Sequence, residues 1–167
     1  MPGLLTNVVV AGIGGQGVLK ASDILADVAL RAGFDVKRSE LKGMSQRGGS
    51  VSSEVRFGDA VLSPMVAPGE ADFLLVLEPT QVEPNLYLLR PGGGLITPAA
   101  VDSRKLAGRK CLNVALLGAL SSLLALPEKD WLEALRDAFA EEFFEPNRQA
   151  FLTGRNAAGQ RERVDRP

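Results

Sequence analysis

A chain of 167 residues, 46% hydrophobic and 23% charged, has the composition of one globular domain with a real core rather than of a disordered or fibrous protein. Its 19 basic and 20 acidic residues leave a formal charge of -1, which excludes the broad positive face that a nucleic acid requires. The chain has no histidine and one cysteine, Cys111, which excludes histidine-dependent nucleophile relays, zinc sites built on histidine or paired cysteines, and a resident iron–sulfur cluster.

From the amino end, residues 7–11 read as a buried strand, followed by the loop Gly12-Ile13-Gly14-Gly15-Gln16-Gly17. Val18, Ala21, Leu25, Val28 and Ala32 then recur at helical spacing, with Lys20, Asp23, Asp27 and Arg31 mostly on the opposite side and Gly33 as the stop. A short strand is expected at 35–39 and a glycine-rich loop at 41–49. Val51, Ser53, Val55 and Phe57 alternate with polar residues, and Gly58-Asp59 is expected to turn this strand into a hairpin with 60–63.

Residues 72–77 form a second buried strand, and 79–89 have helical character interrupted by Pro84. Pro91-Gly92-Gly93 should turn into a strand at 95–97, and Cys111 is placed on another strand as a buried small hydrophobe. Residues 114–126 are apolar on nearly every side, the pattern of a helix enclosed by other elements, and Pro127 ends it. Leu132, Leu135 and Phe139 space an amphipathic helix, and a short helix follows at 147–152. Trp131 and the late phenylalanines are assigned to core or subunit contact.

These elements define one α/β domain over 1–153: three α/β/α layers, a mixed and mostly parallel sheet with a Rossmann-like start, and a central β-hairpin. Residues 154–167 are too polar to order themselves and are read as a flexible tail. The apolar runs 8–11 and 73–77 fall far short of the ~20 residues of a membrane-crossing helix. Residues 1–6 lack the basic, apolar and cleavage segments of a leader, so a cytoplasmic chain is expected.

Two loops could carry chemistry. Gly12, Gly14 and Gly17 satisfy G-x-G-x-x-G between strand and helix, where backbone amides and a helix amino terminus attract phosphate or carboxylate. The alternative is a tight turn that only packs the helix on the sheet. Glu40 is the one acid placed to bind a nicotinamide ribose, although the basic pair Lys37-Arg38 precedes it. The second loop, Gly43-Met44-Ser45-Gln46-Arg47-Gly48-Gly49-Ser50, presents a hydroxyl, an amide and a guanidinium among glycines, either to hold an anion or as a hinge whose arginine pairs with an acid.

Taken together, these two motifs resemble the gamma subunit or domain of the 2-oxoacid:ferredoxin oxidoreductases. The Ser45-Gln46-Arg47-Gly48-Gly49 form is similar to the small (beta) subunits of the indolepyruvate branch. Ala71-Asp72, Gly92-Gly93, Asn113-Val114, Leu117-Gly118-Ala119, Asn147, Ala150-Phe151 and Gly154 extend the likeness over nearly the whole chain. Lys42 departs from it, standing where relatives commonly have histidine.

The resemblance implies a subunit of an enzyme that oxidatively decarboxylates 2-oxo acids to acyl-CoA with ferredoxin as electron acceptor. Thiamine diphosphate, iron–sulfur clusters and coenzyme A would sit mainly on a larger partner subunit, with no cofactor bound by this chain alone. No catalytic residue and no metal ligand is assigned here. Gly12, Gly14, Gly15, Gln16, Gly17, Ser45, Gln46, Arg47, Gly48 and Gly49 are the expected cofactor-facing residues. A free-standing dinucleotide-binding protein or dehydrogenase, and a non-catalytic scaffolding subunit, are the competing readings.

Overall fold

The computed structural model describes residues 3–43, 48–157 and 162–163. Strand β1 (Leu5–Ile13) leads through the first glycine loop into helix α1 (Val18–Arg31), which ends before Gly33 in the left-handed region. Strands β2 (Asp35–Lys42) and β3 (Ser50–Gly58) follow, then an extended segment and β4 (Ala71–Val76). Residues 79–88 form helical turns around α2 (Val82–Asn85), with Pro84 preventing a longer helix. Strand β5 (Leu89–Ile96), helices α3 (Leu112–Ser121), α4 (Glu128–Ala138) and α5 (Glu141–Asn156), and strand β6 (Glu162–Arg163) complete the order.

The sheet order is β2-β3-β1-β4-β5-β6. β1 runs parallel to β4 and β4 to β5, while β2 with β3, β3 with β1 and β5 with β6 are antiparallel. The sheet is therefore mixed, without the expected parallel majority. The hairpin also has a different partner: β3 pairs with β2 across the 43–49 loop, not with 60–63. Residues 60–63 form no strand and instead lie across the sheet, where Asp35 accepts from Val61 N–H. Another expected turn, at Pro91-Gly92-Gly93, is a bulge inside β5, since Leu89 pairs with Ala71 and Gly94 already with Phe73.

Alternate residues of β1 divide between two cores: Val8 and Val10 enter one, Val9 and Ala11 the other. All four long helices pack on the first core, where Trp131 and Phe151 are fully buried with ring centroids 5.5 Å apart. Each such side chain stabilises the fold by roughly 2–3 kcal/mol. Among the described residues, the second core is covered only by the segment carrying Val66 and by the turns of 79–88. The third layer is thus thin, because 79–88 are too short and too rich in proline to form a full helix.

Helix α3 is enclosed as its composition predicts, and the element on its far side is α5. A Cβ on Gly118 would lie 2.0 Å from Phe151 O and one on Gly154 1.7 Å from Ala115 O, so the two backbones cross in direct contact. This crossing moves the expected end of the domain: α5 continues through Gly154 to Asn156, and Arg155 bonds Ser121 and pairs with Glu128. Cys111 lies not on a strand but on the turn leading into α3, where it is buried.

Candidate functional site

The connection from β1 crosses the first face through α1 to β2, whereas the connection from β4 crosses the second face to β5. Chains that leave neighbouring parallel strands in opposite directions open a crevice at the carboxyl ends of those strands, the usual ligand position in α/β sheets. Here the crevice lies between β1 and β4, and Gln16 spans it. Its Oε1 accepts from Ile13 N–H at 3.0 Å, and its Nε2 donates to Glu78 Oε2 at 3.1 Å. Leu77 N–H donates to Ala11 O at 2.8 Å and extends the pairing to the base of the loop.

The second glycine loop reaches the same point. Gly43 N–H donates to Ser50 O at 2.6 Å, closing the loop at its base, and Gly14 N–H donates to Gly49 O at 2.9 Å. Two motifs that start 31 residues apart in the chain, linked in the sequence only by family resemblance, are thereby joined by a backbone hydrogen bond. Ser45, Gln46 and Arg47 lie outside the described residues.

The glycines divide by what surrounds them. At Gly12 a Cβ would meet Gln16 Oε1 and Val18 Cγ2 at 2.8 Å, and at Gly17 it would meet Asn113 Nδ2 at 2.3 Å. These two shape the turn and admit the helix. Gly17 also caps α1 in the left-handed region, and Asn113 Nδ2 donates to its carbonyl at 3.2 Å, tying α3 to the loop. Gly15 and Gly48 are different: φ is +88° and +63°, and a Cβ on either would meet no atom of the described residues within 4 Å. They border open space.

Helix α1 begins with no acidic residue in its first turn and no capping side chain, so its leading amides remain donors for an anion. Lys42, the last residue of β2, is exposed beside the second loop. Lys105, Arg109 and Lys110 are also exposed, on the connection from β5 to Asn113 at this same edge of the sheet. Burial pushes the Cys111 thiol up, away from thiolate chemistry.

Glu40 does not reach the site. β3 is inserted antiparallel between β1 and β2, placing β2 about 9–10 Å from β1 rather than one strand spacing of about 5 Å. Glu40 pairs instead with Arg38 at 3.2 Å. Glu78 is the site residue that sequence reasoning missed. Its signal was present, as an acid directly after the buried run 73–77 and before Pro79, at the carboxyl end of a parallel strand. Among the described residues no group of three or more His, Cys, Asp or Glu could hold a metal ion, and no helix is long and apolar enough to cross a membrane.

A mixed α/β domain with two glycine loops joined at its topological switch point defines the class of fold. Residues 7–157 match the family model for pyruvate ferredoxin/flavodoxin oxidoreductase, and the chain belongs to that family. It is 34% identical to the indolepyruvate oxidoreductase subunit IorB of Thermococcus kodakarensis, over 91% of this chain and 95% of that subunit. The gamma subunit of a keto/oxoacid ferredoxin oxidoreductase from Geobacter sulfurreducens superposes with TM-score 0.78 at 25% identity, covering 92% of this chain and 98% of that one. The fold also occurs in the 2-oxoglutarate:ferredoxin oxidoreductase of Magnetococcus marinus, solved with 2-oxoglutarate, coenzyme A and succinyl-CoA bound. There the TM-score is 0.82 at 22% identity over 96% of this chain, and the chain spans 32% of that longer one.

Proposed function

We propose that this chain is the small subunit of a thiamine diphosphate-dependent 2-oxoacid:ferredoxin oxidoreductase in the cytoplasm, active only beside a larger subunit. The larger subunit carries the thiamine diphosphate and the iron–sulfur clusters. The substrate is an arylpyruvate, with indolepyruvate the foremost case, which loses carbon dioxide and leaves as acyl-CoA while ferredoxin takes the electrons. Thiamine diphosphate supplies the decarboxylation chemistry; this chain supplies half of a cavity.

One observation carries this reading: the hydrogen bond from Gly14 to Gly49 fuses both loops into a single backbone rim, with open space at Gly15 and Gly48. Such a rim offers amide donors to a diphosphate or carboxylate, as befits a subunit that binds and shapes rather than reacts. In this scheme Gly14, Gly15, Gly48 and Gly49 let coenzyme A or the thiamine diphosphate region approach the main chain. Ser45, Gln46 and Arg47 add side-chain contacts, with Arg47 suited to a two-pronged grip on an anion. Gln16 braces the crevice through Glu78, and Gly12 and Gly17 set the turn. The inserted β3 weighs against the dinucleotide reading, because it removes the acid that a ribose would need.

The test is reconstitution. Co-expressed with a larger cluster-bearing subunit, the chain should copurify and support acyl-CoA formation from indolepyruvate, and alone it should turn over nothing. Turnover by the isolated chain sinks the proposal, and tight binding of a nicotinamide dinucleotide by that chain favours the competing reading. Arg47→Ala should lower turnover by the assembled complex. If it alters assembly while leaving turnover intact, Arg47 belongs to the interface and not to the ligand.

A further inference from the structure

We infer that the larger subunit docks on the thinly covered face of the sheet, through an apolar surface made by Leu62, Met65 and Tyr87 with Leu41 at its rim; this rests on the small-subunit reading above. On this face the covering layer alternates. Val61 and Val66 turn inward, leaving Leu62 98% and Met65 67% exposed, and Tyr87 precedes buried Leu88 and is itself 55% exposed. Val66 and Leu88 share the second core, and Gly69 N–H donates to Tyr87 O at 2.9 Å, so the outward residues belong to one layer. Leu41, 74% exposed, has the same strand parity as Ser39, which bonds Glu54 and Pro64 O beneath that layer.

Several polar groups around this surface are engaged within the chain. Arg56 donates to Asn7 Oδ1 and to the carbonyls of Ser63 and Met65, Glu54 accepts from Val66 N–H, and Arg90 pairs with Asp72. Leu62, Met65 and Tyr87 leave exposed apolar area, which an occupant matches with an apolar surface of its own. Two further observations select the larger subunit. Leu41 stands two residues before Gly43, so the surface runs directly into the loop whose cavity that subunit must complete. In the Magnetococcus structure this fold makes up 32% of a longer chain, so there it is covalently joined to further protein, as a larger subunit would be held beside it here.

The experiment is copurification of the full-length chain with its larger subunit, comparing wild type, a Leu62→Glu/Met65→Glu double variant and Phe143→Glu. Phe143 is 56% exposed on α5, at the helix-covered side, and serves as the control. Charges in the centre of an apolar interface should weaken assembly on the order of tenfold or more, while the control should bind as wild type does. Hydrogen exchange of the wild-type complex should show protection at 60–66 and 86–88, a readout independent of how the variants fold. Equal binding by all three proteins, a loss confined to Phe143→Glu, or no protection of those segments overturns the docking surface and leaves the small-subunit reading standing. A wild-type chain that self-associates through this face also overturns it. Failure of wild type to bind any larger subunit removes both proposals.

Discussion

Gly118 and Gly154 sit where an added methyl group would strike backbone within 2.0 Å, whereas Gly15 and Gly48 sit where it would strike nothing among the described residues within 4 Å. Both pairs are glycines within the family likeness, yet the first pair lets two helices touch and the second keeps a rim clear. The comparison separates two reasons for the same residue. One reason is a neighbour already present in this chain; the other, on the function proposed above, is a ligand that the rim would admit.

Four measurements break or sharpen that contrast. The largest effect is expected at the helix crossing, where Gly118→Ala and Gly154→Ala should each lower stability by about 3 kcal/mol, seen as a fall in the urea midpoint at unchanged slope. A neutral result would mean that α3 and α5 do not cross in direct contact. Next is Gln16→Ala, which removes the brace between Ile13 and Glu78 and should cost about 1–2 kcal/mol. Unchanged stability with weakened ligand binding would instead make Gln16 a ligand contact.

Gly15→Ala should cost only about 1 kcal/mol, the penalty of a left-handed backbone, while reducing turnover of the assembled enzyme far more than its stability. Matching losses in both would return Gly15 to the purely structural group. The smallest effect is expected at Asp35, whose carboxyl is held below its ordinary value by the hydrogen bond from Val61 N–H and then by Lys37. Because its folded pKa is depressed, its stabilisation is present above the unfolded value of about 3.9 and is lost as pH falls through the folded value. Asp35→Asn should therefore be less stable than wild type at neutral pH and should converge with it on acidification. A difference that persists at low pH excludes the ionised carboxylate as its source.

The strand, glycine loop and helix of residues 5–31 were legible in the sequence because each is encoded by local periodicity and punctuation. Helix α3 was legible as an enclosed helix for the same reason. The alternation of β3 was read correctly, but its partner was not: pairing across a seven-residue glycine loop leaves no local mark, and Gly58-Asp59 imitates a hairpin turn. Pro146 concealed the first turn of α5, since proline ordinarily opens a helix and here lies inside one. Gly154 read as the start of a polar tail because its contact, Ala115, is far away in the chain.

The candidate site divides in the same way. Both loops could be chosen from residue type, because glycines between strand and helix and an arginine among glycines have chemical meaning without coordinates. Their union through Gly14 and Gly49, the brace from Gln16 to Glu78 and the anchoring of Gly17 by Asn113 could not, because each joins residues from different strands and helices.

By itself the amino-acid sequence determined an α/β fold in a chain without histidine or paired cysteines. Only the tertiary structure decided which strand lies beside β1, which face of the sheet is left thin, and which glycines border empty space. Composition and periodicity act over neighbouring residues, whereas a crevice is made where strands far apart in the chain are brought side by side.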